Sequence, residues 1–208
     1  MKYLKLYGLQ RSGTNYLKWI LEQNFNVFVL QNFRGWKHGE VLFLSKDEDY
    51  NRDLSVSTLN PEQKSEIKNQ DVPRIAIKKD IHAWLVSYYK YKGFRWGVDY
   101  KRLIDHYFQM NEHYEQHCFM VEYEQLLEMP EVYLYALMKI HDLSMRHDKF
   151  ILSADKVMPR GGDDHSDSWA LKYRNKDFNA GYYLNKEYLK EIPNLLEINA
   201  YLESIQRK

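Results

Sequence analysis

The sequence predicts an α/β fold: a single three-layer domain over residues 1–208, with a mostly parallel sheet flanked by helices. Three observations point there. Short apolar runs alternate with segments of helical periodicity. Hydrophobic residues are 44% of the chain and charged residues 28%, the balance of a chain that buries a core. No internal repeat, low-complexity tract or linker divides the 208 residues.

Residues 3–7 alternate apolar and polar and read as a first strand that meets Gly8. From Thr14, the side chains of Tyr16, Leu17, Ile20 and Leu21 recur at helical spacing. Phe25 to Leu30 is a short apolar run and a second strand. Residues 31–57 are polar and Gly-punctuated, without a clear assignment. Pro61 stands in the first turn of a helix that ends near Asn69. Arg74-Ile75-Ala76-Ile77-Lys78 reads as a third strand, and Asp80 as the cap of a helix reaching about Tyr91. Residues 99–117 read as helix, Phe119–Glu122 as a fourth strand, and 123–129 and 131–142 as helices parted at Pro130. Residues 153–181, with Gly161, Gly162 and Gly181, look irregular, and the C-terminus returns to helix around Pro193.

Composition sets limits on function. The formal net charge is +1, so bulk attraction to nucleic acid or an anionic membrane is not expected. The single cysteine, Cys118, leaves no intrachain disulfide or cysteine-rich zinc site, and it reads as a buried, inert thiol in an apolar strand. The eight histidines are scattered, and no metal-ligand set stands out. The chain opens on a strand rather than a leader peptide, and no run of ~18 apolar residues is present, so a cytoplasmic protein is expected.

Tyr7-Gly8-Leu9-Gln10-Arg11-Ser12-Gly13-Thr14-Asn15 joins the first strand to the first helix. Backbone N–H groups in such a turn converge on one point, and the helix N-terminus adds about half a positive charge, which suits a phosphate. The Gly8-to-Gly13 frame matches nucleotide-binding P-loops, but Thr14 stands where those loops carry lysine. The cation is Arg11, whose planar fork of donors matches an oxyanion. The bland alternative is a plain strand–turn–helix junction with a surface arginine.

A second cation site follows the third strand. Lys79 lies at the strand end, and Ser87 eight residues on, two turns into the helix. A lysine with a hydroxyl can hold a second anion beside the first, which suggests a nucleotide with a 3′-phosphate. Residues 74–102 carry eight basic side chains against two acidic ones, interleaved with Tyr88, Tyr89, Tyr91, Phe94 and Trp96. That pattern also suits single-stranded nucleic acid, or simply a solvated face over an aromatic stripe.

Taken together, Arg11-Ser12-Gly13-Thr14, Lys79-Asp80-Ile81 through Ser87-Tyr88-Tyr89, and Tyr123-Glu124-Gln125-Leu126-Leu127 resemble, in order, three signatures of the sulfotransferases that use 3′-phosphoadenosine-5′-phosphosulfate (PAPS). The chain departs from the second signature with Lys79 for arginine and Ile81 for proline. The resemblance implies a P-loop nucleotide-binding type of fold and PAPS as donor, with 3′-phosphoadenosine-5′-phosphate (PAP) as product and no metal. It implies that Arg11, Ser12, Gly13, Thr14 and Asn15 hold the 5′-phosphosulfate, and that Lys79 and Ser87 hold the 3′-phosphate. Arg160-Gly161-Gly162 is a partial match to a family loop that closes over the donor. Members place a histidine or glutamate base soon after the second strand; here the candidates are His38 and Glu40, with Lys37 assisting at the leaving oxygen. The expected partner is a small-molecule, carbohydrate or peptide acceptor, with neither nucleic acid nor membrane. The alternatives are a nucleotide or small-molecule kinase on the same loop, with Glu122 or Glu124 for Mg²⁺, and a non-catalytic nucleotide or single-strand binder.

Overall fold

The computed structural model describes residues 2–31, 33, 36–41, 59–69, 71–92, 100–152 and 180–206. Its strands are β1 (Lys2–Tyr7), β2 (Val27–Leu30), β3 (Arg74–Lys78) and β4 (Phe119–Glu122). They form one parallel sheet in the order β2-β1-β3-β4. The helices are α1 (Thr14–Asn24), α2 (Pro61–Asn69), α3 (Ile81–Lys92), α4 (Tyr100–His117), α5 (Tyr123–Glu128), α6 (Pro130–Ile140), α7 (Ala180–Leu184) and α8 (Leu195–Gln206). A 3₁₀ turn, Glu187–Glu191, links the last two. No helix among the described residues is long and apolar enough to cross a membrane.

Alternate side chains of each strand feed opposite faces of the sheet. Leu4, Leu6, Val27, Val29, Ile75, Ile77 and Val121 face one core, closed by Leu17, Ile20 and Leu21 of α1, Leu126 of α5 and Leu134 and Leu137 of α6. Tyr7 and Ala76 face the other, closed by Trp84 and Tyr89 of α3, Tyr107 and Tyr114 of α4 and Ile198 of α8. A smaller cluster joins Tyr3 and Leu30 to Ile67 of α2. The sheet is therefore the middle of three layers.

The strand order explains this division. The β1-to-β2 connection steps one way along the sheet and β3-to-β4 steps the other way. Crossovers of one hand must then place their helices on opposite faces, and α1 lies on the face opposite α3 and α4.

Four local expectations are corrected. β1 does not alternate between buried and exposed: five of its six residues are buried, because strands flank it on both edges and helices on both faces. Its Lys5 is therefore inside, with Nζ donating to the Gln31 carbonyl at 2.5 Å and lying 4.5 Å from the Tyr7 ring centroid. β2 starts at Val27; Phe25 instead makes an isolated antiparallel bridge to Met145. Pro130 opens α6 rather than preceding it, since a first-turn proline loses no helical hydrogen bond. Gly181 lies within α7. Cys118 is half-buried, just ahead of β4, and burial pushes its thiol up to about 12, so it stays protonated and inert at neutral pH.

Asn24, at the end of α1, is buried and holds the strand-like return of residues 150–152. Its amide donates to the Ile20 carbonyl at 2.7 Å and the Ile151 carbonyl at 3.0 Å, and accepts from the Ile151 N–H at 2.6 Å. Asn24→Ala strips buried backbone groups of their partner and is expected to lower unfolding free energy by about 2 kcal/mol in urea titration, with the slope unchanged.

Candidate functional site

The turn between β1 and α1 is built from residues in the left-handed backbone region. Gly8 has φ 147°, Arg11 72° and Gly13 103°. A Cβ on Gly8 would lie 2.7 Å from the Ile77 carbonyl oxygen, and one on Gly13 only 2.5 Å from the Tyr123 ring. Arg11 bears a side chain where glycine is the relaxed choice, a kind of strain that collects at functional sites. The turn is pinned from outside. The Trp84 indole N–H donates to the Gln10 carbonyl at 2.8 Å, and the Gly8 N–H to the Lys37 carbonyl at 2.9 Å.

Thr14 then opens α1, whose first turn has no acidic residue to neutralise the positive end of the helix dipole. Ser12 is 2% exposed, and its Oγ has no hydrogen-bond partner among the described residues. Buried hydroxyls are nearly always satisfied, which makes this one a candidate contact for a bound oxygen.

β3 delivers the second candidate. Lys79 is 3% exposed, with Nζ 4.2 Å from the ring centroid of Tyr123 and 4.4 Å from that of Tyr183. Burial lowers its ammonium to about 7, the Glu124 carboxylate opposes this, and the Arg11 guanidinium lowers it further. That last influence means Arg11 and Lys79 share one field. Asp80 caps α3 as the sequence suggests, accepting from the N–H groups of His82 at 2.9 Å and Ala83 at 3.1 Å. The Asp80 N–H donates to Glu124 Oε2 at 3.1 Å. Glu124 Oε1 has no hydrogen-bond partner among the described residues, and burial raises the carboxyl above its ordinary range. Ser87, half-buried on α3, is hydrogen-bonded to the phenol of Tyr183, which also feels the charge of the Arg11 guanidinium.

The two candidates open at one edge. β1 and β3 are adjacent and parallel, with Tyr7 opposite Ala76, so the residues following each strand emerge side by side. This is where the connections diverge, the crevice at which open α/β sheets bind ligands.

The third group lies beneath the turn. Lys37 Nζ donates to Asn15 Oδ1 at 2.7 Å and Gln31 Oε1 at 2.9 Å. His38 Nδ1 is 2.6 Å from the Gly8 carbonyl. A carbonyl only accepts, so Nδ1 carries the proton and Nε2 has the lone pair. Burial lowers His38 to about 4; the Gly8 carbonyl opposes this, while Lys37 and Lys5 lower it further, so the imidazole is neutral at pH 7. The Trp36 ring stands edge-on to it at 4.9 Å, and Glu40 is exposed. Arg160 and Gly161 lie outside the described residues.

Tyr183 and Tyr123 are the site residues that sequence reasoning missed, and Glu124 was weighed only as a metal ligand. Nothing in the Gly181-Tyr182-Tyr183 string marks a site, because its partners Lys79 and Ser87 are about a hundred residues away in the chain. Among the described residues, no group of three or more His, Cys, Asp or Glu is arranged to hold a metal ion.

Gly13→Ala combines a strained φ with a clash against Tyr123 and should reduce unfolding free energy by about 3 kcal/mol in urea titration. The charge of Lys79 is present below about 7 and lost above it. Affinity for inorganic sulfate, whose own charge is constant in this range, should therefore fall as pH rises through 7, by up to about tenfold per unit. Lys79→Arg, charged throughout, should flatten that profile in isothermal titration.

Comparison of the chain with family models, with curated proteins and with solved structures finds no match.

Proposed function

We propose that the chain is a sulfotransferase of P-loop type, which moves a sulfuryl group from PAPS to a hydroxyl or amine of a small-molecule, carbohydrate or peptide acceptor. The observation that carries the reading is the pairing of two separate oxyanion cradles, Arg11–Asn15 and Lys79 with Ser87, across the crevice between β1 and β3. One nucleotide with phosphate on both its 3′ and 5′ sides would span them. ATP offers nothing to the second. The unpartnered Ser12 hydroxyl and the bare N-terminus of α1 add donors for the 5′ side.

On this reading the acceptor oxygen or nitrogen attacks sulfur in line. A bond to sulfur forms, and the bond from sulfur to the bridging phosphate oxygen breaks. Arg11 and the α1 N-terminus stabilise the charge that grows on the leaving phosphate. The acceptor proton goes to Nε2 of His38, whose Nδ1 is held by Gly8. A value near 4 makes the imidazole a weak base, and a polyanion bound beside it would raise that value toward the working range. Lys37, tied to Asn15 at the start of α1, would assist at the leaving oxygen.

One observation favours a second reading. The unpartnered Oε1 of Glu124, beside Asp80, is a carboxylate oxygen that a Mg²⁺–nucleotide would use, as in a small-molecule kinase.

PAP at a hundredfold excess over its dissociation constant should stabilise the protein by about 2.7 kcal/mol, and so raise Tm by several degrees more than ATP, GTP or AMP at equal concentration. Arg11→Ala and Ser87→Ala should each reduce the PAP shift. An equal shift from ATP overturns the sulfotransferase reading. A shift from ATP that needs Mg²⁺ and vanishes in Glu124→Gln supports the kinase. His38→Ala should keep the PAP shift but lose transfer of label from PAPS to acceptors in a cell extract; normal transfer removes His38 from the chemistry.

A further inference from the structure

Tyr183 engages both members of the second cradle. Its ring lies over Lys79 Nζ, 4.4 Å from centroid to nitrogen, and its phenol is hydrogen-bonded to Ser87. The same ring stands edge-on to Tyr123 at 5.2 Å, and Tyr123 covers an adjacent side of the Lys79 ammonium. An oxyanion that is to touch both Lys79 Nζ and Ser87 Oγ must enter the gap that this one side chain now bridges. The phenol and the ligand oxygen compete for one hydroxyl, and the ring and the ligand compete for one ammonium.

Tyr183 sits on α7, none of whose residues Ala180–Leu184 is fully buried. Its ring meets Tyr123, Tyr182 at 5.1 Å and Tyr188 at 6.4 Å, and packs at the margin of both hydrophobic clusters. Displacing it gives up these contacts, which the charge-assisted contacts of an oxyanion with Lys79 and Ser87 must outweigh. Lys79, by contrast, directly follows β3 and Ser87 lies on α3, whose backbones are held by the sheet and by the Asp80 cap.

We propose that Tyr183 is a latch on the second cradle: it closes over Lys79 and Ser87 when no anion is present, and a 3′-phosphate expels it, carrying α7 outward. The proposal rests on the donor reading above for the identity of the phosphate, but the latch itself needs only an oxyanion. The charged and titratable groups facing it are Arg11 from the β1–α1 turn, Lys79 from β3, Glu124 from α5 and Glu191 from the 3₁₀ turn. Exchange of a neutral phenol for a phosphate satisfies the two cations among them. The latch lowers apparent affinity by the fraction of molecules held closed, and its removal should restore that affinity.

The test compares wild type, Tyr183→Phe and Tyr183→Ala by isothermal titration with PAP, 5′-AMP and inorganic sulfate, together with hydrogen exchange across residues 180–184. Tyr183→Phe loses only the bond to Ser87 and should bind PAP roughly fivefold tighter; Tyr183→Ala should gain roughly tenfold or more. Affinity for 5′-AMP, which has no 3′-phosphate, should be the same in all three. PAP should accelerate exchange at 180–184 in wild type. Weaker or unchanged PAP binding in both variants, or slower or unchanged exchange with PAP, overturns the latch and leaves the donor reading in place. Should PAP bind none of the three while sulfate binds Tyr183→Ala more tightly than wild type, the latch stands and the donor reading falls. Binding of neither ligand to any of them overturns both.

Discussion

The change in the direction of the crossover connections between the parallel neighbours β1 and β3 is the constraint from which the rest follows. A sheet ordered β2-β1-β3-β4 sends its connections apart at the middle pair. With one handedness of crossover, that divergence divides the helices between the faces and leaves a crevice at the carboxyl ends of β1 and β3. The residues that follow those two strands, Gly8 to Gly13 and Lys79 with Asp80, then become neighbours although seventy positions separate them. Cationic groups are brought together without a folding drive of their own. The cost of their repulsion is met by the packing of the two cores on either side, Leu17, Ile20 and Val121 on one, and Trp84, Tyr107 and Tyr114 on the other.

The site shows what that cost looks like locally. Arg11 keeps a left-handed backbone without being glycine, Ser12 and Glu124 each bury an oxygen without a hydrogen-bond partner among the described residues, and Lys79 is buried against two rings. Each departs from what a core does when stability alone decides. Such groups are not confined to the crevice: among the described residues Trp19, Asn111, His141 and Asn194 also bury a side-chain atom without a hydrogen-bond partner, and Asp142 and Lys186 also keep a positive φ. Other buried polar groups are satisfied in the ordinary way: Lys5 finds the Gln31 carbonyl, and Asn24 finds Ile20 and Ile151. What sets the crevice apart is that the oxygens of Ser12 and Glu124 without such a partner lie there beside a buried lysine.

What the sequence made legible was local. β3 and β4 fall at the residues where the apolar runs place them, α2 starts at the expected proline, and Asp80 caps α3, because each depends on a few contiguous side chains. The buried status of Lys5 was not legible: alternation describes a strand with one wet face, and β1 has none. The placement of Tyr123 against Gly13, and of Tyr183 over Lys79, was not legible either. Both are contacts between distant parts of the chain, and tyrosines are so frequent here, at 18, that no single one stands out. The spacing of Lys79 and Ser87 could suggest a second anion site. That a phenol would lie beside both residues depends on tertiary packing alone.

Lysine at position 79, where the resembling family carries arginine, acquires a physical meaning in this setting. A guanidinium is planar, needs several acceptors to be satisfied, and stays charged at any accessible pH. Enclosed by Tyr123 and Tyr183 and facing Arg11, it would stand as a permanent second positive charge. An ammonium is compact enough to be covered by two ring faces and can give up its proton as burial and Arg11 bring it to about 7. On the latch proposal, a cradle that closes over its own cation is better served by lysine, and one that stays open can use arginine. Lysine at this position and the tyrosine beside it then belong together: Lys79 makes the closed arrangement tolerable, and Tyr183 supplies the surface that closes it.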